Sequence, residues 1–447
     1  MKKNIVSLWF VSAIPFAISS AWAQSQPTVP EAATAPDQGA YSLKIPTAPA
    51  SQVGVKGYEL SSTTISGSSG ASAVILTAPV GSDAAYKTES GIYFYPHLFV
   101  GIGNDDNVRA NSVNPISSTV VKVAPQLIGE IKRKGDRYTA LASVSNVNYD
   151  SSSADNTTNS ELTVAGDNYF TARARAAWSL GQVRSTDPRG STYRVISAEP
   201  DRWTSNNVEG RFIYGAPEAQ GRVEFDVGNQ NKTYDNNRVN TGIADVTVGS
   251  YAGRLFYRLG TRSLALGEIR SAKSNYASSF STDSNTDRRY YLGLTWDATA
   301  ATTGIVKVGR MTKDYDFAGR DGYNGDSWEA AIRWMPRTYS VVDLQTARST
   351  VDATGLGNYA VTTNTNLNWN TKWTQSLTSR AGFGVLKTDF AGTSRSDSAT
   401  NFALTVDYAV MRWLKVGIDW ALTDNASNVP TAAYKRNVTM LTLNASL

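Results

Sequence analysis

Apolar and polar residues alternate along most of the chain after residue 90. From residue 402 to residue 410 every second residue is apolar, and the intervening positions include Thr405 and Asp407. The alternation returns over residues 414–420, where Lys415 and Asp419 occupy the polar parity. Because successive side chains of a β-strand point to opposite faces, each segment predicts a strand with one apolar and one polar face.

The alternating segments are separated by connections that are short and long in turn, a pattern typical of antiparallel barrels in outer membranes. Tight turns are predicted at residues 134–136, 186–190, 215–218, 259–262, 298–303, 335–337, 370–372 and 411–413. Long polar connections are predicted at residues 149–160, 234–247, 276–287, 314–326 and 389–398. With both chain ends on the side of the tight turns, this pattern predicts about 18 antiparallel strands.

The least regular part of this pattern is residues 183–203. A turn at Pro188 followed by a strand over residues 193–196 would form a hairpin there, and without that hairpin the strand count falls to 16. Both numbers exceed the size at which side chains fill a barrel, so the fold predicts an aqueous pore.

Aromatic residues favour a membrane setting for these strands. Those within a few residues of a predicted tight turn are Trp178, Tyr214, Trp296, Trp334, Trp369 and Trp413. Amphipathic rings collect at membrane interfaces, so their positions predict an aromatic girdle. Alternation alone is also compatible with a soluble β-sandwich or propeller. The girdle and the loop asymmetry favour an all-β chain that forms a single transmembrane antiparallel β-barrel.

The first 90 residues differ in composition from the rest. Residues 1–23 combine a basic start, a short apolar run and Ala21-Trp22-Ala23, which together predict an export signal cleaved after Ala23. Residues 24–90 are rich in Pro, Ala, Ser, Thr and Gly, and they predict a disordered periplasmic leader that acts as a tether or as a plug. The barrel is predicted over residues 91–447, in the cell outer membrane.

Composition narrows the possible function classes. The net charge of +5 includes Lys2 and Lys3 of the signal, and the remaining excess is too dispersed to predict nucleic-acid binding. The sequence has no cysteine and a single histidine, His97, which is interpreted as a wall residue of the first strand. Without a nucleophile, phosphate-loop or metal-ligand motif, no enzymatic activity and no cofactor are predicted. Asp105 and Asp106 could hold calcium in an outer loop, but a solvated turn is the simpler interpretation.

Strand parity assigns a set of charged residues to the interior of the barrel, because charges facing the lipid are costly. The candidate pore-lining residues are Arg173, Arg175, Arg222, Glu224, Asp226, Arg254, Arg258, Glu329, Arg333, Asp343, Arg380, Asp407, Lys415 and Asp419. One interpretation is a positive stripe that guides a polar or acidic solute. The other is that arginines and carboxylates neutralise one another across neighbouring strands.

Several short motifs resemble the putative β-barrel porin 2 family, which includes EpsL-like outer-membrane proteins of exopolysaccharide operons. They are Gly91 with Pro96 and Leu98, Asn104-Asp105-Asp106-Asn107-Val108, Trp296, Val308-Gly309, Asp314-Tyr315-Asp316-Phe317, Ser327-Trp328 and Trp334-Met335-Pro336-Arg337-Thr338. The resemblance covers about residues 90–447. It implies an outer-membrane barrel that exports, or handles at the cell surface, an exopolysaccharide or capsular polysaccharide, and it transfers no functional residues.

The leading prediction is therefore a polysaccharide export channel that touches outer-membrane lipid, its polymer and periplasmic export components. A general or solute-uptake porin for small polar solutes is the first alternative. A non-conducting surface adhesin or anchoring barrel is the second. Export predicts little conductance from the isolated protein, whereas a porin predicts a steady open conductance.

Overall fold

The computed structural model describes residues 86–190, 197–216, 218–299, 302–353 and 357–446. Nineteen strands occupy most of these residues. They are β1 (Tyr86–Lys87), β2 (Ile92–Asp105), β3 (Ser118–Arg133), β4 (Asp136–Tyr149), β5 (Thr157–Tyr169), β6 (Ala174–Thr186), β7 (Arg202–Tyr214), β8 (Gly221–Tyr234), β9 (Val246–Arg258), β10 (Ser263–Tyr276), β11 (Asn285–Thr299), β12 (Thr302–Tyr315), β13 (Tyr323–Arg337), β14 (Ser340–Asp352), β15 (Tyr359–Lys372), β16 (Leu377–Phe390), β17 (Ser396–Met411), β18 (Leu414–Ser427) and β19 (Tyr434–Ser446). A four-residue helix, α1 (Arg238–Thr241), lies between β8 and β9.

Strands β2–β19 form a closed antiparallel barrel of 18 strands, which confirms the predicted fold class. Each strand pairs with its sequence neighbours, and the barrel closes where β19 pairs with residues 97–105 of β2. The two-residue β1 pairs with Tyr93 and Phe94, at the part of β2 that β19 does not reach. Closure leaves no long sheet edge unpaired, which is what a strand-built membrane protein requires.

The connections sort onto two rims. Eight connections of two to six residues follow β3, β5, β7, β9, β11, β13, β15 and β17, and nine connections of five to 15 residues follow β2, β4, β6, β8, β10, β12, β14, β16 and β18. In the two-residue turn between β3 and β4, Lys134 has φ 54° and Gly135 has φ 94°. Two consecutive positive φ angles are the geometry of a type I′ hairpin turn, which matches the twist of the flanking strands. We call the two sides the short-connection rim and the long-connection rim.

One predicted tight turn is wrong and one was missed. The predicted turns 335–337 and 370–372 are displaced by a few residues: they are the last residues of β13 and β15, directly before the observed turns. Strand β6 continues to Thr186, and residues 187–190 and 197–201 belong to a connection on the long-connection rim. The strand predicted over residues 193–196 lies outside the described residues. The missed turn is residues 170–173, where the hydroxyl of Thr171 accepts hydrogen bonds from the backbone N–H groups of Arg173 and Ala174. A threonine-based turn carries no Gly or Pro signal.

The two faces of the wall differ as the alternation predicts. Large apolar side chains are exposed on one parity, for example Phe402, Leu404 and Val406 on β17. Polar and charged side chains are buried on the other parity, for example Thr405 and Asp407. Because the sheet is closed, the second parity points into the barrel, and we call it the interior face. Within the described part of the chain, no helix has the length and apolarity to cross a bilayer.

Aromatic side chains collect near the short-connection rim. Trp334 and Trp369 are exposed on the outer face there, and Trp373 and Trp413 are exposed in the short connections themselves. Trp369 and Trp373 also contact each other edge to face, with ring centroids 6.0 Å apart. Rings at this level place an apolar body against lipid and a polar edge toward the headgroups.

Candidate functional site on the interior face of the barrel

The structure places the charged residues predicted to line a pore in three environments. Buried on the interior face are Glu224, Asp226, Arg254, Glu329, Arg380, Asp407 and Asp419. Half-buried on the same face are Arg175, Arg222, Arg258, Arg333 and Asp343, and Lys415 is exposed near the short-connection rim. Arg173 differs from the prediction: β6 begins at Ala174, so Arg173 lies exposed in the connection 170–173.

A chain of ion pairs crosses the interior face from β7 to β10. Arg211 donates to Asp226 from two nitrogens, at 2.8 and 3.1 Å. Arg254 donates to Oδ2 of Asp226 at 2.7 Å, an oxygen that also accepts from Arg211, and to Glu268 at 3.1 Å. Arginine shares its planar fork between carboxylates in this way, which fixes the orientation of all four side chains.

Glu268 is the point at which this chain of ion pairs branches. Its carboxylate accepts hydrogen bonds from Arg254 on β9, from Arg270 at 2.8 Å and from Lys307 on β12 at 2.9 Å. Arg270 also donates to Glu329 on β13 at 2.9 Å. Glu268, Arg270, Lys307 and Glu329 are each less than 10% exposed. Four buried charges from three strands therefore hold one another, and we call them the Glu268 cluster.

Side chains from strands three and four apart meet on this wall. Arg270 on β10 reaches Glu329 on β13, and the hydroxyl of Tyr276 on β10 donates to Asp352 on β14 at 2.8 Å. Neighbouring strands lie about 4.8 Å apart, so four spacings cover about 19 Å of wall. The wall must curve strongly inward at β10–β14 for these two side chains to touch.

The predicted positive stripe is largely neutralised by this pairing. Arg175 pairs with Asp167, Arg222 with Glu224, and Arg258 with the exposed Glu218 at 3.5 Å. Arg333 pairs with Asp343 at 2.7 Å, and Arg380 pairs with Asp407. These contacts favour the interpretation in which arginines and carboxylates compensate one another across neighbouring strands.

The sequence analysis missed several members of the network. Arg211, Glu268, Arg270, Arg289 and Lys307 were not among the candidates, although each is buried on the interior face. Glu268 and Arg270 are two residues apart in β10, and apolar Leu266 and Ala272 precede and follow them on the same parity. That spacing is a signal of a shared polar face that could have identified them.

Lys122 on β3 is an exception to the pairing. Its side chain is only 1% exposed, and its amine has no hydrogen-bond partner among the described residues. The amine lies 5.7 Å from the centre of the Phe99 ring and attracts Asp419 electrostatically. Its neighbours in register are Val147 and Gly101, which offer no acceptor side chain.

Replacing Lys122 by methionine is expected to stabilise the barrel by about 1–3 kcal/mol, because an uncompensated buried cation costs more than an apolar side chain of the same length. Denaturant unfolding of the refolded protein in lipid vesicles measures the change. Lys132→Met, at a largely exposed position next to Glu130, is the control and should shift stability by less than about 0.5 kcal/mol. A less stable Lys122→Met protein would mean that attraction to Asp419 and Phe99 outweighs burial.

Three long connections are tied together at Asp155. Arg109 of connection 106–117 and Arg189 of connection 187–201 each donate to its carboxylate at 2.7 Å. Ser152, within the connection of Asp155 itself, donates to the same carboxylate. Burial opposes ionisation of Asp155, but the hydrogen bonds from Ser152 and Arg109 and the charge of Arg189 outweigh it and lower the pKa of this carboxyl. We call this arrangement the Asp155 latch.

Asp155→Asn is expected to make trypsin cleavage after Arg109 and Arg189 about tenfold faster, since two charge-assisted hydrogen bonds are lost. In the unmodified protein the same loosening should appear on acidification. A carboxyl whose pKa is lowered by folding stabilises the fold above its unfolded pKa of about 3.9, and that contribution is lost as pH falls through the folded value.

The latch prediction is checked by timed proteolysis at neutral pH. Asp150→Asn, at an exposed position of the same connection, is the matched control and should leave cleavage unchanged. Equal cleavage rates in the Asp155 and Asp150 variants would show that the connections are held by other contacts.

The other chemical candidates have structural partners. Asp105 is buried and accepts hydrogen bonds from Arg436, and Asp106 accepts one from the side-chain amide of Asn437 at 3.1 Å. His97 is half-buried in β2, opposite Ser446 and Gln126. Among the residues that the structure describes, no group of three metal-ligating side chains is present. Asp105 already has its charge compensated by Arg436, so it does not resemble an open cation ligand.

The family model of the putative β-barrel porin 2 family matches residues 91–447 of the chain, which therefore belongs to that family. The matched segment begins one residue before β2 and includes all 18 barrel strands. Family and closed fold together define a porin-like barrel of the outer membrane. The family assignment does not extend to the EpsL-like, exopolysaccharide-associated members.

Solved structures of other barrels resemble the chain at low sequence identity. Pseudomonas aeruginosa OpdK, solved with vanillate, is 11% identical, with coverage of 80% of this chain and 99% of its own and a TM-score of 0.45. P. aeruginosa OccK2 (OpdF), in complex with glucuronate, is 10% identical, with coverage of 81% and 100% and a TM-score of 0.46. The siderophore receptor PiuA from Acinetobacter baumannii is 10% identical, with coverage of 81% and 82% and a TM-score of 0.42. Sequence identities and TM-scores this low support no functional conclusion. No curated protein has a sequence significantly similar to this one.

Proposed function

We propose that the protein is an outer-membrane porin that lets small polar solutes cross the membrane without chemical change. The observation that carries this proposal is the closed barrel of 18 strands with a polar, mutually neutralised interior face. A barrel of this size encloses more space than its own side chains fill. Paired charges on the wall remain polar without holding a strong net field, which suits passage of solutes of either sign.

The charged residues of the interior face line the channel in this proposal. Those of the Glu268 cluster, together with Asp226 and Arg254, form one side of the passage. Arg380, Asp407, Lys415 and Asp419 belong to strands β16–β18 on another part of the wall. Because most of these charges are buried and paired, they fix the shape of the wall around the channel more than they attract one kind of ion.

Polysaccharide export, the leading prediction from the sequence, is a weaker proposal than uptake of small solutes. It rests on the resemblance to EpsL-like proteins of exopolysaccharide operons. The family match by itself does not include that association. No feature of the described interior face is specific to a long polymer or to a periplasmic export partner. The predicted signal and most of the predicted leader lie at residues 1–85, outside the described residues, so cleavage after Ala23 and the role of the leader remain predictions.

Planar-bilayer conductance of the refolded mature protein tests the proposal. A second form lacking residues 24–85 retains every strand of the described residues, including β1. We expect steady conductance from both forms. Conductance that appears only after truncation would overturn a steadily open porin and make the leader a plug, as gated export predicts. Silence from both forms, with the heat-modifiable mobility of a folded barrel, would exclude a porin.

A further inference from the structure

Strand β15 carries four asparagines on alternate positions, Asn364, Asn366, Asn368 and Asn370, all on the interior face. Asn364 and Asn366 are buried, and Asn368 and Asn370, nearer the short-connection rim, are half-buried. At about 3.3 Å per residue, the row extends about 20 Å along the strand. We call these four residues the asparagine ladder. The ladder is a stretch of wall rich in uncharged polar groups, in contrast to the ion-paired strands β7–β13.

The strand beside the ladder presents glycine, with no side chain, opposite two of the asparagines. Gly384 is the register partner of Asn366 and Gly382 that of Asn368, both on β16. A methyl group added at Gly382 would lie 3.2 Å from the side-chain oxygen of Asn368. The next strand continues the small surface with Ala403 opposite Gly382. A shallow groove floored by small residues therefore runs next to the ladder.

The ladder has side-chain oxygens that accept no hydrogen bond from the described residues. The side-chain oxygens of Asn366 and Asn368 have no hydrogen-bond donor among the described residues. The same holds for the side-chain oxygen of Asn444 on β19, farther along this wall. Buried acceptors without donors are costly, and native interiors seldom retain them without a partner. A solute that supplies hydrogen-bond donors would satisfy these oxygens.

The charged residues near the ladder determine which kind of hydrogen-bond donor on a solute suits its amide oxygens. The charged groups nearest the ladder in register are paired: Asp343, the partner of Asn368 on β14, with Arg333, and Arg380, the partner of Asn370 on β16, with Asp407. Little uncompensated negative charge remains to favour a cation. Hydroxyl groups are the neutral donors that match amide oxygens, and several hydroxyls on one molecule can contact successive rungs.

We propose that the asparagine ladder binds neutral, polyhydroxylated solutes of the size of a simple sugar and guides them through the channel. This inference rests on the proposed porin function and adds the solute class. Hydroxyls would exchange water for the side-chain oxygens of successive asparagines, while the groove over Gly382 and Gly384 accommodates the body of the molecule. Each step replaces one hydrogen bond by another, so the solute moves without a deep energy minimum.

Vesicle-swelling rates with the full mature protein test this assignment. Glucose is compared with tetraethylene glycol, which has a similar mass but carries donors only at its ends. We expect glucose to enter severalfold faster. In the variant Asn366→Leu with Asn368→Leu, which keeps side-chain size, the ratio of the two rates should fall about tenfold, since roughly two net hydrogen bonds are lost. Asn368→Leu alone, at a half-buried position that tolerates change better, should give an intermediate ratio.

The matched control is the double variant Asn206→Leu with Asn229→Leu. These asparagines are exposed on the outer parity of β7 and β8, away from the interior face, and the ratio should not change. An unchanged ratio in the ladder variants, with ion conductance intact, would overturn the inference and leave the porin function standing. Faster entry of an amine cation than of glucose would also overturn it. Absence of ion conductance in the unmodified protein would instead refute the porin function itself.

Discussion

Replacing Glu268 by alanine is expected to destabilise the barrel by about 3–5 kcal/mol. The carboxylate accepts hydrogen bonds from Arg254, Arg270 and Lys307, and all of these side chains are buried. Removing the acceptor leaves Arg254, Arg270 and Lys307 to share Asp226, Glu224 and Glu329. Asp226 and Glu224 already pair with Arg211 and Arg222, so positive charge is then in excess. An uncompensated buried charge costs far more than the net value of an intact pair.

The change is measured by denaturant unfolding of the vesicle-inserted barrel, followed by tryptophan fluorescence and heat-modifiable mobility. Glu268→Gln, which keeps shape and one acceptor oxygen, should lose about half as much stability. The control is Asp314→Ala: its partner Arg288 lies at 2.7 Å, but both side chains are exposed, so the loss should be below about 1 kcal/mol. Equal losses for Glu268→Ala and Asp314→Ala would mean that water reaches the Glu268 cluster and screens it.

The strand count could be predicted from the sequence, although one hairpin could not. Alternation identified the lipid-facing parity of β17 and β18 because charge on that face is costly. The turn at residues 186–190 was predicted from Pro188 and Gly190, which instead lie in a long connection. The turn at residues 170–173 was missed because Thr171 forms it by hydrogen bonding its own backbone neighbours. The two errors offset each other, so the total of 18 was correct.

The partners of the interior charges could be predicted only in part. Pairs on adjacent strands, such as Arg333 with Asp343, follow from parity and register. The contact between Arg270 and Glu329 joins strands three apart and depends on how sharply the wall curves. Curvature is a property of the closed barrel as a whole and has no local sequence signal. The sequence left open whether the interior charges form a positive stripe or compensate one another, and the pairs of Arg175, Arg222, Arg333 and Arg380 within or between neighbouring strands favour compensation.

Substituting Gly103 by valine is expected to prevent normal closure of the barrel. Gly103 lies on β2 at the seam, in register with Met440 of β19. A methyl group added at Gly103 would overlap the backbone oxygen of Thr439 and would lie 2.7 Å from Cα of Met440. Neither backbone atom can move away without breaking the pairing of β2 with β19, the only hydrogen-bonded ladder that links the first and last strands of the barrel. We expect a loss of about 3 kcal/mol or more, because overpacking against backbone cannot be relieved by a rotamer change.

The seam prediction is measured as the yield of heat-modifiable, protease-resistant barrel after refolding into vesicles. Gly267→Val is the matched control, since it lies inside β10 and an added methyl group there meets nothing within 4 Å. Its yield should remain near that of the unmodified protein, whereas the yield of Gly103→Val should fall severalfold. Met440→Ala, combined with Gly103→Ala, should recover little, because the overlap at Gly103 involves the backbone of β19 and only secondarily the Met440 side chain. Full recovery in that double variant would show that side-chain packing, and not close approach of the two strands, requires glycine at the seam.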